Sequence, residues 1–464
     1  MISRYCIIAL AFLLMTGCAV GPKYHRPQVA IPDGYRGLAP DSAPQTAASL
    51  GNEKWWTVYQ DEQLQSLIRE ALTNNYDVRI AAARVLQARA LLGITRADQF
   101  PIITGGAAAN NARRSRTPDT LESEFSTNTV NLSMVWELDF WGKFRKATEA
   151  ARANLLASEW GQRAVISSLV SDVASSYFQL LELDAEMEIS RNTLASRRES
   201  LRLVNIRAQG GTTSLMDVRQ SEQLVYGATA NIADLERRIE QQENFISILI
   251  GRNPGPVKRG QPLAQNKLLP TVPPGLPSSL LERRPDILAA EQQLIAANAQ
   301  IGVAKAAYFP QITLTATAGY QSTALTNLFT SPAGFWDFGG QLLQPIFEGG
   351  RIRSNVRLTE AQKEELVFSY QQTIQESFRE VADSLIAYRK DQEFHQQQAL
   401  LTAAAEDATR LADVRYRGGV TSYLEVLDSD TRFFDAQIAL AQSDLNGRLA
   451  LVQLYLALGG GWQQ

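Results

Sequence analysis

The longest regular pattern of apolar and polar positions lies in residues 351–417, which contain neither proline nor glycine. Both residue types are disfavoured inside helices, because glycine costs backbone entropy and proline removes a hydrogen-bond donor. Apolar residues recur there three or four positions apart, as on one face of a helix. They include Leu366, Tyr370, Ile374, Phe378, Val381 and Leu385. At about 1.5 Å per residue, the run predicts a helix of roughly 100 Å, far longer than an ordinary globular helix.

This helix is predicted to end in the sequence RYRGGVTSYLEVLD, residues 415–428. Gly418 and Gly419 supply the positive φ at which many helices stop. Ser422 and Glu425 have the spacing of a capping box, so a second helix is predicted to begin there. The pattern therefore predicts an antiparallel helical hairpin, long enough for a coiled coil, with its turn at a remote tip.

The second half of the chain repeats the first. Residues 85–101 match residues 294–310, and residues 206–218 match residues 414–426, at a spacing of about 208 residues that is too long for a solenoid. The first half also has a long run without proline, residues 143–209. The turn glycines of its hairpin are Gly210 and Gly211. We interpret the pattern as an internal duplication with two related hairpins per chain.

The duplication and the turn-rich stretches give a division of the chain into segments. The predicted segments are a signal peptide 1–17, an N-terminal tether 18–60, a first repeat 61–250 with a strand pair at about 102–139 and a long helical hairpin, a linker 251–277, a second repeat 278–458 with a strand pair at about 311–347 and a second hairpin, and a C-terminal tail 459–464. Short helices are expected near 64–72, 77–97, 279–282 and 286–306.

Two stretches alternate apolar and polar residues with a period of two. They are residues 127–140 and 311–320, and weaker strand signals lie at about 102–111 and 335–347. Such alternation predicts strands with one face in water, and either a membrane barrel or a soluble β-sandwich would produce it. Aromatic residues sit near the predicted strand ends, where a membrane barrel keeps its aromatic girdle. They are Trp136, Trp141, Phe335 and Trp336.

The number of strands limits the possibilities further. One strand pair per half gives about four strands, which cannot close a barrel, and a membrane does not tolerate an open sheet edge. If these strands cross a membrane, several identical chains must therefore share one barrel. Loops 112–126 and 321–334 would then face outward.

The N-terminus has the pattern of a leader. Arg4 precedes an apolar stretch, and the sequence LMTGC ends on Cys18. This resembles a bacterial lipoprotein signal, in which the cysteine becomes the first residue and is acylated, although Met15 stands where leucine is usual. Ala19 follows, and the absence of aspartate there resembles lipoproteins sorted to the outer membrane. The chain has two cysteines, and Cys6 would be removed with the leader.

Composition and charge exclude several classes of function. The net charge is −3 with no basic stripe, which argues against nucleic-acid binding. His25 and His395 are the only histidines, and no cluster has metal-ligand spacing. No phosphate-binding loop or Ser-His-Asp arrangement appears in a supporting context. No apolar run is long enough for a transmembrane helix. We therefore expect a conduit without catalysis or cofactor.

Several motifs occur in order along the chain: the GC-VGP start of the mature chain, two Phe-Pro corners after residues 100 and 309, FWGKFR, FEGGRIR, YRGGVTSYLEVLD and LGGGW. From Cys18 onward the chain resembles the TolC-like outer-membrane efflux factor family, in its lipid-anchored, NodT-type branch. The resemblance implies a mainly α fold with a small β part. Long α-helical hairpins would form an α-barrel, and four transmembrane β-strands per chain would contribute to a shared trimeric 12-stranded β-barrel.

The resemblance also implies partners and a location. The expected assembly is a homotrimer in the outer membrane of a Gram-negative bacterium, anchored through Cys18 to outer-membrane lipid and extending into the periplasm. It would receive substrates from an inner-membrane efflux pump through a periplasmic adaptor, or membrane fusion, protein. The exported substrate stays open between drugs, organic acids and metal ions.

By the same resemblance, polar links between the hairpins would close the tip. The expected periplasmic gate residues are Asp217, Tyr416, Arg417, Leu424, Glu425 and Asp428. Local helix capping is the competing interpretation of Glu425 and Asp217, which are spaced for capping by Ser422 and Ser214. Threefold symmetry would place six carboxylates from Glu425 and Asp428 around a narrow opening, which favours cations.

One other class of protein fits part of the pattern. A periplasmic adaptor or a structural coiled-coil lipoprotein also contains a helical hairpin, but usually one per chain. The duplicated hairpin and the alternating strands favour the channel.

Overall fold

The computed structural model describes residues 19–37, 48–115, 123–263 and 273–463. Within these ranges the chain forms nine α-helices and four strands. The helices are α1 Trp55–Val58, α2 Glu62–Asn74, α3 Tyr76–Ala97, α4 Lys143–Gln209, α5 Leu215–Leu249, α6 Pro277–Arg283, α7 Pro285–Ala306, α8 Arg351–Arg417 and α9 Tyr423–Ala457. The strands are β1 Ile102–Arg114, β2 Ser123–Glu137, β3 Gln311–Ser322 and β4 Gly334–Leu343. The predicted signal peptide and Cys18 lie outside the described residues.

The two long helices confirm the prediction from the runs without proline. Helices α4 and α8 each contain 67 residues, and each ends at a pair of glycines. One 18-residue window of α4 reaches a mean hydropathy of 1.3, so the expectation that no helix is apolar enough to span a membrane was wrong on length and composition. However, 67% of that window is buried inside the protein, which is typical of a core helix.

The four strands form one antiparallel sheet in the order β1-β2-β3-β4. The pairing of β2 with β3 joins the strand pairs of the two predicted repeats, as in Leu132 opposite Ala318. Residues directly opposite each other in an antiparallel pair point to the same face. One face therefore carries Ile103, Leu132, Met134, Trp136, Leu314, Ala316, Ala318, Trp336, Phe338 and Leu342. The other face is mostly polar and carries Thr104, Asn131, Ser133, Thr313, Thr315, Thr317, Asp337 and Gln341. Its large apolar members are Ile102, Phe125, Val135, Phe335 and Leu343.

The strands end earlier than the alternation predicted. Strand β2 stops at Glu137 and not at 139, because the Asp139 carboxylate accepts hydrogen bonds from the backbone N–H groups of Phe144 (3.1 Å) and Arg145 (2.9 Å) and so starts α4. Strand β4 stops at Leu343 and not at 347, near Pro345, which has no N–H to donate.

The described residues form two compact units, and each takes segments from both predicted repeats. The first unit contains the sheet and comprises 19–28, 84–115, 123–158 and 289–370. The second comprises 29–37, 48–83, 159–263, 273–288 and 371–463. The segment boundaries drawn from the repeat remain a prediction.

The core of the second unit holds the inter-repeat linker in place. The hydroxyl of Tyr177, a fully buried residue, donates to Asp61 (3.3 Å) and accepts from the backbone N–H of Gly260 (2.8 Å). Asp61 also caps α2 through the N–H of Leu64 (2.9 Å). The linker residues around Gly260 therefore pack on the helices of this unit.

The described parts of the N-terminal segment, 19–37 and 48–60, make contacts with the rest of the chain. Tyr24 and Arg26 both donate to the Glu291 carboxylate of α7, at 3.1 Å and 2.5 Å. Farther on, Trp55 begins helix α1, and it is buried in the second unit together with Tyr59. The prediction of a tether over 18–60 was therefore wrong for its last part, since apolar residues from Leu50 onward enter the core.

Candidate functional site

Each helical hairpin turns at its glycine pair through the same geometry. Gly211 has φ +71° and Gly419 has φ +74°, so the second glycine of each pair supplies the left-handed conformation. The first glycines, Gly210 and Gly418, are not in that region. Both turns therefore fold as the sequence predicted, although one glycine of each pair, and not both, provides the positive φ.

Asp217 lies in the first turn of α5 and is held locally. Its carboxylate accepts hydrogen bonds from the Thr213 hydroxyl (2.5 Å) and the Ser214 backbone N–H (3.1 Å), while the Ser214 hydroxyl accepts from the Asp217 N–H (3.2 Å). This is the predicted capping box. The hydrogen bond from Thr213 and those from Ser214 hold the pKa of the Asp217 carboxyl below its usual value.

Glu425 occupies the matching place in the second hairpin but does not form a capping box. Helix α9 begins after Ser422, as predicted. The predicted capping box is wrong, because the Ser422 side chain makes no capping hydrogen bond. The Glu425 carboxylate instead accepts from the hydroxyl of Thr421 and from Arg415 (2.8 Å). The ion pair with Arg415 draws the longer glutamate side chain away from the position that aspartate takes in the first hairpin.

Tyr416 is buried between the hairpins, with 7% of its surface exposed. Its ring lies 5.1 Å from that of Tyr423, and the Arg207 guanidinium lies 4.5 Å from the ring centre. The Tyr423 hydroxyl is hydrogen-bonded to that of Ser221 (3.0 Å). Within the described part of the chain, the Tyr416 hydroxyl has no hydrogen-bond partner.

Arg207 links the two hairpins, a role that the sequence analysis missed. Its guanidinium donates to the backbone carbonyls of Tyr416 and Arg417, both at 3.4 Å, where α8 ends. A cation there also suits the negative end of the α8 helix dipole. The repeat could have pointed to it, because Arg207 matches Arg415, which also serves its turn.

The other predicted gate residues point to solvent in the described chain. Arg417 pairs with Asp413 (2.8 Å) and Asp428 with Arg432 (2.9 Å), each within its own helix, and Leu424 is 61% exposed. Among the described contacts, none joins Asp217 to Tyr416. The structure therefore places all six residues at the two turns. There the hairpins are joined by Arg207 and by the Tyr423–Ser221 hydrogen bond, and not by the predicted pair.

A deeper ion pair lies beneath the turns. Arg197 of α4 donates to Asp430 of α9 at 2.8 Å, and its side chain is 8% exposed. The pair borders a cavity of about 440 Å³ that Tyr416 and Tyr423 also line. Removing one partner of a buried ion pair lowers the stability of the folded protein by much more than the intact pair contributes to it.

Two long hairpins with polar tips, joined to an open sheet that has one apolar face, define a subunit of a membrane channel. The sequence matches the family described as outer membrane efflux protein over residues 67–252 and 276–460. The solvent efflux pump outer membrane protein SrpC of Pseudomonas putida is 40% identical over 97% of both chains. The cation efflux system protein CusC of Escherichia coli O6:H1 is 35% identical over 97% of both chains.

A solved structure gives the same answer. The open state of the MtrE outer membrane channel of Neisseria gonorrhoeae superposes with a TM-score of 0.87 at 31% identity, covering 96% of this chain and 99% of that one. The chain belongs to the outer membrane efflux protein family. Its function is that of an outer-membrane channel of an efflux system, and the resemblance stated from the motifs is confirmed.

Proposed function

We propose that the chain acts as a homotrimer in which three sheets close a shared 12-stranded barrel in the outer membrane. The observation that carries the proposal is the open sheet with one apolar and one polar face. Within the described residues, β1 and β4 each have a single neighbouring strand. A sheet edge cannot remain unpaired in hydrocarbon, so β1 of one subunit pairs with β4 of the next.

The anchor and the partners extend this assembly. Acylated Cys18 holds the chain in the outer membrane, a periplasmic adaptor binds the helical hairpins, and an inner-membrane pump delivers the substrate. Relatives are named for the efflux of solvents and of cations. A passive conduit suits both kinds of cargo, with the choice made by the pump.

The purified, acylated protein is expected to migrate as a trimer on gels without heating and as a monomer after boiling. In planar bilayers it should conduct ions. The reason is that strand pairing between chains gives every backbone N–H and C=O group of the barrel a hydrogen-bond partner. A protein that stays monomeric and conducts no ions in planar bilayers would contradict the proposal.

We propose that the tip is the periplasmic gate, formed by Asp217, Tyr416, Arg417, Leu424, Glu425 and Asp428 together with Arg207. The placement of these residues at the two turns, with Tyr416 buried between the hairpins, supports a gate whose intersubunit links form only in the trimer. The carboxylates of Glu425 and Asp428 from three chains would line the opening. Opening then requires the second hairpin to move away from the first.

Replacing Arg207 with alanine is expected to raise single-channel conductance several-fold, because it removes the contacts that hold the end of α8 to the first hairpin. The double change Asp217→Ala and Tyr416→Phe should act in the same direction by removing the intersubunit links. The matched control is Arg202→Ala, since Arg202 pairs only with Glu199 one turn earlier on its own helix. Conductance equal to the wild type in both gate variants would refute this assignment.

A further inference from the structure

A cleft lined by four arginines lies where α3 ends and α4 begins. Its volume is about 680 Å³, and the arginines are Arg89, Arg96, Arg145 and Arg152. All four are exposed. A hydrogen bond from the Gln99 side chain to the Thr148 hydroxyl (2.6 Å) fixes the two helices at this point. This bond holds the backbone on the two sides of the cleft together.

Two of the four arginines that line the cleft have no carboxylate partner among the described residues. Arg145 pairs with Asp139 at 3.2 Å, and Glu149, which also lines the cleft, pairs with Lys146 at 2.7 Å. Among the described residues, Arg96 and Arg152 form no ion pair. Like charges held together raise the free energy of the folded chain unless an anion is bound. The recess is therefore suited to an anionic ligand.

The position of the cleft indicates which anion is available. Gln99 precedes β1 by three residues, and its backbone carbonyl accepts a hydrogen bond from the Trp136 indole at 3.1 Å. Tryptophan at the end of a barrel strand marks the level of the lipid headgroups. The cleft therefore begins at the periplasmic boundary of the membrane, where the inner leaflet presents its phosphates.

The N-terminal segment marks the lipid-facing side. Ala19 packs against Gly142, where an added Cβ would lie 2.8 Å from the Ala19 Cβ and 3.5 Å from an Arg145 guanidinium nitrogen. The Val20 N–H donates to the Trp141 carbonyl at 2.9 Å. Since Ala19 directly follows Cys18, acyl chains on that cysteine would enter the membrane beside Arg145. The arginine cleft thus opens next to the anchor.

We propose that this cleft binds the phosphate headgroup of an anionic phospholipid of the inner leaflet, with Arg96 and Arg152 as its principal ligands. Guanidinium groups bind phosphate oxygens through paired N–H donors, which a lysine cannot reproduce. Leu92, on the wall of the cleft, offers apolar surface to the glycerol and upper acyl chain. The inference rests on the proposed placement of the sheet in the outer membrane.

The test is native mass spectrometry of the full-length, acylated protein, titrated with dioleoyl-phosphatidylglycerol. Dioleoyl-phosphatidylcholine controls for acyl chains, and inorganic phosphate serves as a competitor. We expect the wild type to prefer the anionic lipid by at least about tenfold. The double variant Arg96→Gln and Arg152→Gln should weaken its binding by about 30-fold, since each arginine at a lipid surface contributes about one factor of five.

Two further variants define the result. Arg96→Lys with Arg152→Lys should keep a measurable preference for the anionic lipid, because the charge remains. Arg198→Gln with Arg237→Gln removes the same charge from exposed positions in the other compact unit and should leave binding unchanged. Equal affinity for the two lipids, or an unaffected glutamine variant, would overturn the proposal.

Phosphate competition and conductance distinguish the lipid site from a site for free phosphate and from a failure of the proposed channel. If inorganic phosphate displaces the lipid at comparable concentration, the cleft is a site for free phosphate and the lipid assignment is wrong. Ion conductance is recorded for every variant and should stay at the wild-type level. A wild-type protein that binds the lipid but does not conduct would count against the proposed channel and not against the cleft.

Discussion

Replacing Ala316 with arginine is expected to abolish the proposed heat-stable trimer. Ala316 lies at the middle of β3, opposite Met134 of β2 and Phe338 of β4, on the apolar face of the sheet. If that face contacts lipid, each arginine at the bilayer midplane costs about 2–4 kcal/mol, and three copies in one barrel cost roughly 6–12 kcal/mol. Such a cost is comparable to the whole stability of many proteins.

The neighbouring residue supplies the matched control. Thr317 lies opposite Ser133 and Asp337 on the polar face, so Thr317→Arg should point into the barrel and leave the trimer intact. The measurements are trimer content on unheated gels and conductance in bilayers. We expect altered ion selectivity for Thr317→Arg and little trimer for Ala316→Arg. The reverse outcome would show that the two faces of the sheet are assigned the wrong way round.

The periodic parts of this fold were accessible from the sequence. Helices α4 and α8 begin and end where proline and glycine allow, so their limits followed from composition and turn chemistry. The strand faces followed from alternation. The strand ends did not, because Asp139 acts through its side chain on backbone N–H groups five and six residues later, which no periodic pattern records.

At the candidate site, too, some features follow from the local sequence pattern and others do not. The turns and their carboxylates carry a local signature, and the Ser214–Asp217 capping box formed as predicted. Arg207 has no such signature, because its partners are backbone carbonyls of a helix about 210 residues later in the chain, present whatever the side chains. Glu425 does not form its predicted capping box, because its carboxylate pairs with Arg415, ten residues earlier. The Arg207 contact joins elements far apart in the chain, whereas the Arg415–Glu425 contact crosses a single turn. Neither contact is encoded by the local spacing of residue types.

A second large effect is expected from a buried carboxyl pair in α4. Glu182 and Glu186 lie one helical turn apart, and each is 4% exposed. The Glu186 carboxylate accepts hydrogen bonds from Arg238 of α5 (3.1 Å) and Gln442 of α9 (3.0 Å). Burial, and then the hydrogen bond and charge of Glu186, raise the pKa of Glu182 to about 8. The folded protein thus keeps a proton on Glu182 that the unfolded chain loses near pH 4.5.

The sign of the pH dependence follows from this difference. Because the folded state binds the proton more tightly, the stability that Glu182 contributes is complete below about pH 4.5 and is lost as the pH rises to about 8. Each pH unit in that window costs about 1.4 kcal/mol per subunit, so the total approaches 3–5 kcal/mol. Glu182→Gln should remove this loss, because an amide stays neutral and still donates to Glu186. Thermal unfolding of the protein at pH 5.5, 7 and 8.5 measures this pH-dependent loss of stability.

The comparison must separate Glu182 from the other titrating groups, so the informative quantity is the difference between variant and wild type at each pH. Glu188→Gln provides the control, since Glu188 lies on the same helix but is exposed. We expect Glu182→Gln to unfold at a temperature close to the wild type at pH 5.5 and well above it at pH 8.5, whereas Glu188→Gln follows the wild type throughout. Parallel curves for all three proteins would mean that Glu182 is ionised in the folded state. Arg238 would then have to neutralise both carboxylates, and Arg238→Gln would destabilise the trimer most strongly at high pH.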